Sequence, residues 1–315
     1  MKKFIQYQSI ILLGIIVVIF LGYINAGIAL LIGLFLALSV GNPIRHHTQK
    51  WAGFLLKASV IGLGFGLNLK ALWVTTQQGL GLTVLTIFSA LTLGLILGKL
   101  LGVRSNLAKL ISVGTAICGG SAIAAMAPTI NADQEDTAVA ISVVFILNGV
   151  ALYAFPFVGH YLQLTQQQFG LWAALGIHDT SSVVGAASVY GQEALTIATT
   201  TKLARALWII PLVLLASWQM ARKQHHAVEA KIKLPLFILY FILASAITTF
   251  VPFVADHLAP ILVYLAKAGL ITSLLFMGAG FTRATLRTLS VKPMIQAIIL
   301  WISLSTGSLL AILLL

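Results

Sequence analysis

The feature that most constrains this sequence is a succession of apolar runs, each near 20 residues and divided by short polar or charged punctuation. A helical run of that length spans the hydrocarbon core of a bilayer. Eleven candidates follow one another at 9–22, 24–40, 52–69, 79–98, 110–130, 137–158, 169–190, 194–219, 234–254, 258–281 and 293–315. Only 8% of the 315 residues are charged, against about 25% in soluble domains. The chain therefore reads as an all-α integral membrane protein of about 11 transmembrane helices. The longest polar stretch, Arg222 to Lys233, is a dozen residues, so residues 1–315 read as a single transmembrane domain. Met1-Lys2-Lys3 before an apolar run has the look of a signal peptide, but no small-x-small cleavage site follows, and the run reads as a retained first helix.

The cations follow the loops. With a cytoplasmic N-terminus and every run crossing, one set of loops holds Lys2, Lys3, Arg45, Lys50, Lys99, Arg104, Lys109, Arg222, Lys223, Lys231, Lys233, Arg283, Arg287 and Lys292, which is 14 of the 19 Lys and Arg. The opposite loops hold Lys70 alone, with the acids Asp133, Glu135, Asp136, Glu193 and Asp256. That is the bias of the positive-inside rule, and it places the C-terminus outside. Topology thus accounts for most of the +12 net charge, and no nucleic-acid partner is required. The single Cys118 provides neither a disulfide nor a metal cluster. No cofactor or metal is expected: Walker A, H-E-x-x-H and Rossmann glycine patterns are missing from the sequence. His178, Asp179 and Ser181 or Ser182 are too close in sequence to converge as a hydrolytic triad, and there is no G-x-S-x-G elbow. The chain reads as a non-enzyme.

Charges inside the runs are the exceptions, because each costs about 2.5–3.5 kcal/mol at a helix centre. They are Lys57, Lys202, Arg205, Lys267 and Asp179. Lys57 and Lys267 lie near run ends, where snorkelling and cavity lining are both open. Lys202 and Arg205 share one helix face at i and i+3. One of them can pair with Asp179; the other is then free to hold an anion. Two polar stretches accompany them. Gly114-Thr115-Ala116-Ile117-Cys118-Gly119-Gly120-Ser121 suits either close helix packing or a broken helix whose N–H groups bind an anion. His178-Asp179-Thr180-Ser181-Ser182 covers every face of a helix and so predicts irregular backbone lining a protein-enclosed cavity. His178, oriented by Asp179, is a candidate for proton coupling, or the two form a structural pair.

These stretches, with Lys202-Leu203-Ala204-Arg205 before Pro211 and Leu275-Phe276-Met277-Gly278-Ala279-Gly280, resemble the YeiH-type family of bacterial inner-membrane proteins, whose proposed role is sulfate export. The resemblance spans almost the whole chain. It implies a multi-pass transporter in the bacterial inner membrane, distantly similar to bile-acid symporters and sodium/proton antiporters with inverted repeats and crossed broken helices. On that analogy one crossed helix contains Gly119-Gly120 and the other ends at Gly278-Ala279-Gly280. Weak internal similarity of Leu56-Lys57-Ala58 and Phe65-Gly66 to Ala266-Lys267-Ala268 and Met277-Gly278 fits such a repeat.

The expected function is alternating-access transport of a small anion such as sulfate or an organosulfonate. Thr115, Cys118, Gly119, Gly120, Ser121, His178, Thr180, Ser181, Ser182, Lys202 and Arg205 are the candidate binding residues, and His178 and Asp179 the candidates for coupling. The alternatives are a cation/proton antiporter built on Asp179, a membrane sensor or scaffold without flux, and an enzyme acting on lipid-linked substrates. The anion and the bilayer are the expected partners. The many glycines suit helix packing within one chain or between copies in a homo-oligomer.

Overall fold

The computed structural model describes residues 2–39, 42, 44–67, 69–224, 236–280 and 291–314. Lys231, Lys233, Arg283 and Arg287 lie outside the described residues. Every regular element among those described is helical: α1 (Lys2–Phe20), α2 (Ala26–Ser39), α3 (Arg45–Gly64), α4 (Leu69–Leu100), α5 (Ser105–Ala116), α6 (Gly120–Thr129), α7 (Gln134–Tyr161), α8 (Gln166–Gly176), α9 (Thr180–Tyr190), α10 (Gln192–Ala206), α11 (Ile209–Gln224), α12 (Leu236–Phe250), α13 (Ala259–Ala279) and α14 (Val291–Leu313). The chain forms two compact units, Met1–Trp73 with Pro235–Ala284, and Val74–Leu234 with Thr285–Leu315.

In the first unit α3 and α13 run antiparallel on small residues. A Cβ on Gly62 would lie 2.7 Å from that of Ala266, and one on Gly269 would lie 2.6 Å from Ser59 Oγ. Lys57 is exposed and Lys267 half-buried. α13 is unbroken from Ala259 to Ala279 and ends in a helical turn at Gly280, and the residues after it, 281–290, lie outside those described. Gly278 allows α2 to approach: a Cβ there would sit 2.8 Å from Leu34 N. Small residues serve backbone contact here.

The second unit holds all the candidate site residues, and its topology differs from eleven simple crossings. Arg104, just before α5, pairs with Asp136 at 2.7 Å and Glu135 at 3.3 Å, both in the first turn of α7. The intervening α5 and α6 must therefore turn back, and a Cβ on Gly114 would meet Ile123 Cδ1 at 2.8 Å across that fold. α8 and α9 do the same: the Tyr190 hydroxyl donates to Leu164 O at 2.7 Å, and its ring stacks on Phe169 at 3.7 Å. The runs 110–130 and 169–190 are thus re-entrant hairpins, and neither crosses. With 12, 10, 11 and 11 residues, their arms are about 15–18 Å long, half of a bilayer core.

The 28-residue α7 connects one end of the unit to the other, so the hairpins enter from opposite ends. α10 runs beside α8, with Gln166 Oε1 accepting from Glu193 N at 3.0 Å, and continues into α11 after a tight turn at Leu207–Trp208. Pro211 explains the interruption, since it has no N–H to give Leu207 O. α4, α7, α10–α11 and α14 are long and apolar enough to cross a membrane.

Re-entry also moves three acids. Asp133, Glu135 and Asp136 lie at the end that carries Arg104, not the opposite one, because 110–130 folds back. The moved loops contain no Lys or Arg, so the cation bias survives. Lys99, Arg104, Lys109, Arg222, Lys223 and Lys292 gather at one end, and the described loops at the other hold neither residue type.

Candidate functional site

Two hairpin tips bring four helix ends to the middle of the second unit, where every free backbone group needs a partner. At the end of α5, Val113 O accepts from Ile117 N at 3.1 Å and Gly114 O from Gly119 N at 2.8 Å. Ala116 O accepts from Arg205 Nε at 2.7 Å, with Thr115 O at 3.5 Å from Arg205 Nη2. At the end of α8, Ala173 O accepts from Ile177 N at 3.0 Å. Ala174 O and Ile177 O take Lys202 Nζ at 3.2 and 2.6 Å, Leu175 O takes Arg205 Nη1 at 2.7 Å, and Gly176 O takes Trp301 Nε1 at 3.0 Å. Lys202 and Arg205 are completely buried. Their i, i+3 spacing lets one face of α10 close both half-helices, and the negative helix ends favour the two cations.

The N-terminal ends differ from each other. Asp179 caps α9, its carboxylate accepting from Ser182 N at 3.2 Å, Ser182 Oγ at 3.3 Å and Ser181 Oγ. The N–H groups of His178 and Asp179 donate to Asn148 Oδ1 at 3.1 and 3.3 Å. α6 starts after Gly119, has no side-chain cap, and presents the half-buried Gly120 and exposed Ser121. Gly119 is required for the turn, with φ +66° and ψ −127°. A Cβ there would lie 3.3 Å from Val144 Cγ1 and 3.6 Å from His178 O, so the two tips touch.

Four helix ends of about half a charge each, two of either sign, cancel. With both cations protonated, Lys202 and Arg205 against Asp179 then leave roughly one positive charge at the junction. Around it, Thr115 Oγ1, Asn148 Nδ2 and both ring nitrogens of His178 are buried with no hydrogen-bond partner among the described residues.

All the sequence candidates thus fall on three neighbouring elements. Thr115, Cys118, Gly119, Gly120 and Ser121 form the first tip, His178, Asp179, Thr180, Ser181 and Ser182 the second, and from α10 Lys202 binds the second hairpin and Arg205 both. Two expectations change. Neither cation pairs with Asp179: the ion pairs among the described residues are those of Arg104. Asp179 does not orient the His178 ring, because the fold directs its carboxylate to the start of α9. Asn148 and Trp301 were missed. An amide amid the apolar 137–158 run was the available signal for Asn148; nothing distinguished Trp301 from other membrane tryptophans. Asn148→Ala leaves two buried N–H groups without an acceptor, at about 1–3 kcal/mol each, and is expected to lower the thermal midpoint in detergent. An unchanged midpoint would count against the role given to Asn148.

A family model described as "Conserved hypothetical protein 698" matches residues 7–297. The chain belongs to this family. UPF0324 membrane proteins of Bdellovibrio bacteriovorus and Porphyromonas gingivalis are each 45% identical to it, over 93% and 94% of this chain and 90% and 89% of theirs. One from Geobacter sulfurreducens is 44% identical over 92% of this chain and 91% of its own. This is the YeiH-type family indicated by the motifs, and its members bear out a multi-pass bacterial membrane protein. No solved structure matches the chain.

Proposed function

We propose that this family member is a secondary transporter of a small anion, sulfate or an organosulfonate being the leading candidates, working by alternating access. The carrying observation is the uncapped start of α6 beside a junction with about one excess positive charge. A helix N-terminus is a ready anion site, and the other three helix ends at the junction are already closed from within the chain. Gly120, Ser121 and the neighbouring Cys118 and Thr180 are the nearest contacts for the anion. Lys202 and Arg205 supply charge from behind.

Hairpin then crossing helix occurs twice, at 105–161 and 166–224, from opposite ends, which is the order an inverted repeat produces. With two runs re-entrant, nine of the eleven cross, and the termini remain on opposite sides. The cation-rich end of the second unit faces the cytoplasm of a bacterial inner membrane, with the N-terminus inside and the C-terminus outside. A cation/proton antiporter would need the Asp179 carboxylate, which is engaged as a helix cap.

Purified protein in proteoliposomes is expected to take up radiolabelled sulfate saturably, with chloride and taurine competing. Intact protein that moves none of the three overturns the transport reading and leaves a sensor or scaffold.

A further inference from the structure

Resting on the anion-transport reading, we infer that Lys202 is the residue that carries a coupling proton, taken up with the anion and released with it. Lys202 Nζ is fully buried and, among the described residues, donates to two neutral carbonyls, those of Ala174 and Ile177. An ammonium has three N–H donors and a neutral amine has two. Loss of one proton therefore leaves both hydrogen bonds in place. Arg205, one turn away, offers no such exit, because a guanidinium does not lose its proton in proteins.

The other ionisable groups facing Lys202 are Arg205 on α10, Cys118 at the first tip, and Asp179 and His178 at the second. The Asp179 carboxylate is fixed as the cap of α9 by three donors. Protonating His178 would bury a third cation whose ring nitrogens have no acceptor among the described residues. Charge balance then selects Lys202. With a monovalent anion bound, a charged Lys202 and Arg205 are matched by Asp179 and the anion. With the site empty, a neutral Lys202 leaves Arg205 matched by Asp179. Both states of the cycle are near neutral, which lowers the cost of carrying the junction through low dielectric. In atoms, R–NH3+ gives R–NH2 and one proton to the water on the side where the anion leaves; the reverse occurs on loading. One proton moves with each anion in the same direction.

The test is proton uptake on binding, in weakly buffered detergent solution with a pH-indicating dye. Methanesulfonate and chloride, both monovalent, serve as probes of proton uptake, and the binding of these two and of sulfate is followed separately by calorimetry. Wild-type protein is expected to take up about one proton per monovalent anion bound, and the affinity for these anions to weaken about tenfold per pH unit on the alkaline side. Lys202→Arg keeps a cation against the same carbonyls and is expected to take up no proton, with a flat affinity profile. Lys202→Gln, which keeps two N–H donors, is expected to lose the uptake also. Binding without proton uptake by the wild type overturns this inference and leaves anion transport standing. Uptake that persists in both variants moves the proton to another group and overturns the assignment to Lys202. Failure of every probe to bind overturns the anion reading itself.

Discussion

Arg205→Ala is expected to cost the protein stability as well as transport. Seen in the sequence alone, Arg205 is a candidate anion ligand. In the structure its guanidinium spans both hairpins, donating to Ala116 O and Leu175 O at 2.7 Å, and has no carboxylate partner among the described residues. Alanine leaves those carbonyls, and Thr115 O, buried without their donor. Each buried acceptor left without its donor costs about 1–3 kcal/mol. The thermal midpoint of the purified variant, followed by tryptophan fluorescence in detergent, should fall sharply. Arg205→Lys should recover little of the loss, because one ammonium does not reproduce a fork reaching two helix ends. A variant as stable as the parent and defective only in anion binding would remove the capping role.

Gly119→Ala is expected to damage the site with less harm to the rest of the fold. Gly119 has φ +66° and ψ −127°, a combination that costs a residue with a Cβ about 1–3 kcal/mol. The added methyl would also press on Val144, 3.3 Å away, and come into ordinary contact with the His178 carbonyl at 3.6 Å. The strain falls on the first tip, so sulfate uptake should drop tenfold or more while insertion and expression continue. Gly149→Ala in α7, where a Cβ meets nothing within 4 Å, is the matched control. Equal transport in both variants would show that the tip conformation does not matter for function.

Much of this was legible in the sequence, and the reasons are specific. Apolar runs of the right length revealed the helices, since burial in lipid is a property of composition. The polar runs at 114–121 and 178–182 marked both breaks, because a continuous lipid-facing helix does not accommodate them. Lys202 and Arg205 declared themselves by cost. The direction of the chain after each break was not legible. A run that crosses and a run that turns back halfway have the same composition, and only the pairing of Arg104 with Asp136 and of Tyr190 with Leu164 separates them. The partner of each cation was hidden for a related reason: backbone carbonyls are present at every position, so a sequence does not show which ones a fold leaves open.

The reach of Arg205 sets a timetable for making the protein. The carbonyl of Ala116 accepts from a side chain 89 positions later, and ribosomes add about 5–20 residues per second. For several seconds, then, the first hairpin has been synthesised while the group that closes its tip has not. A half-length hairpin with open carbonyls is a poor guest for lipid, so it must wait at the membrane surface or inside the insertion machinery until α10 arrives. Truncations ending before residue 205 should leave 105–130 accessible to water-soluble labelling reagents, whereas chains extended past α11 should protect it.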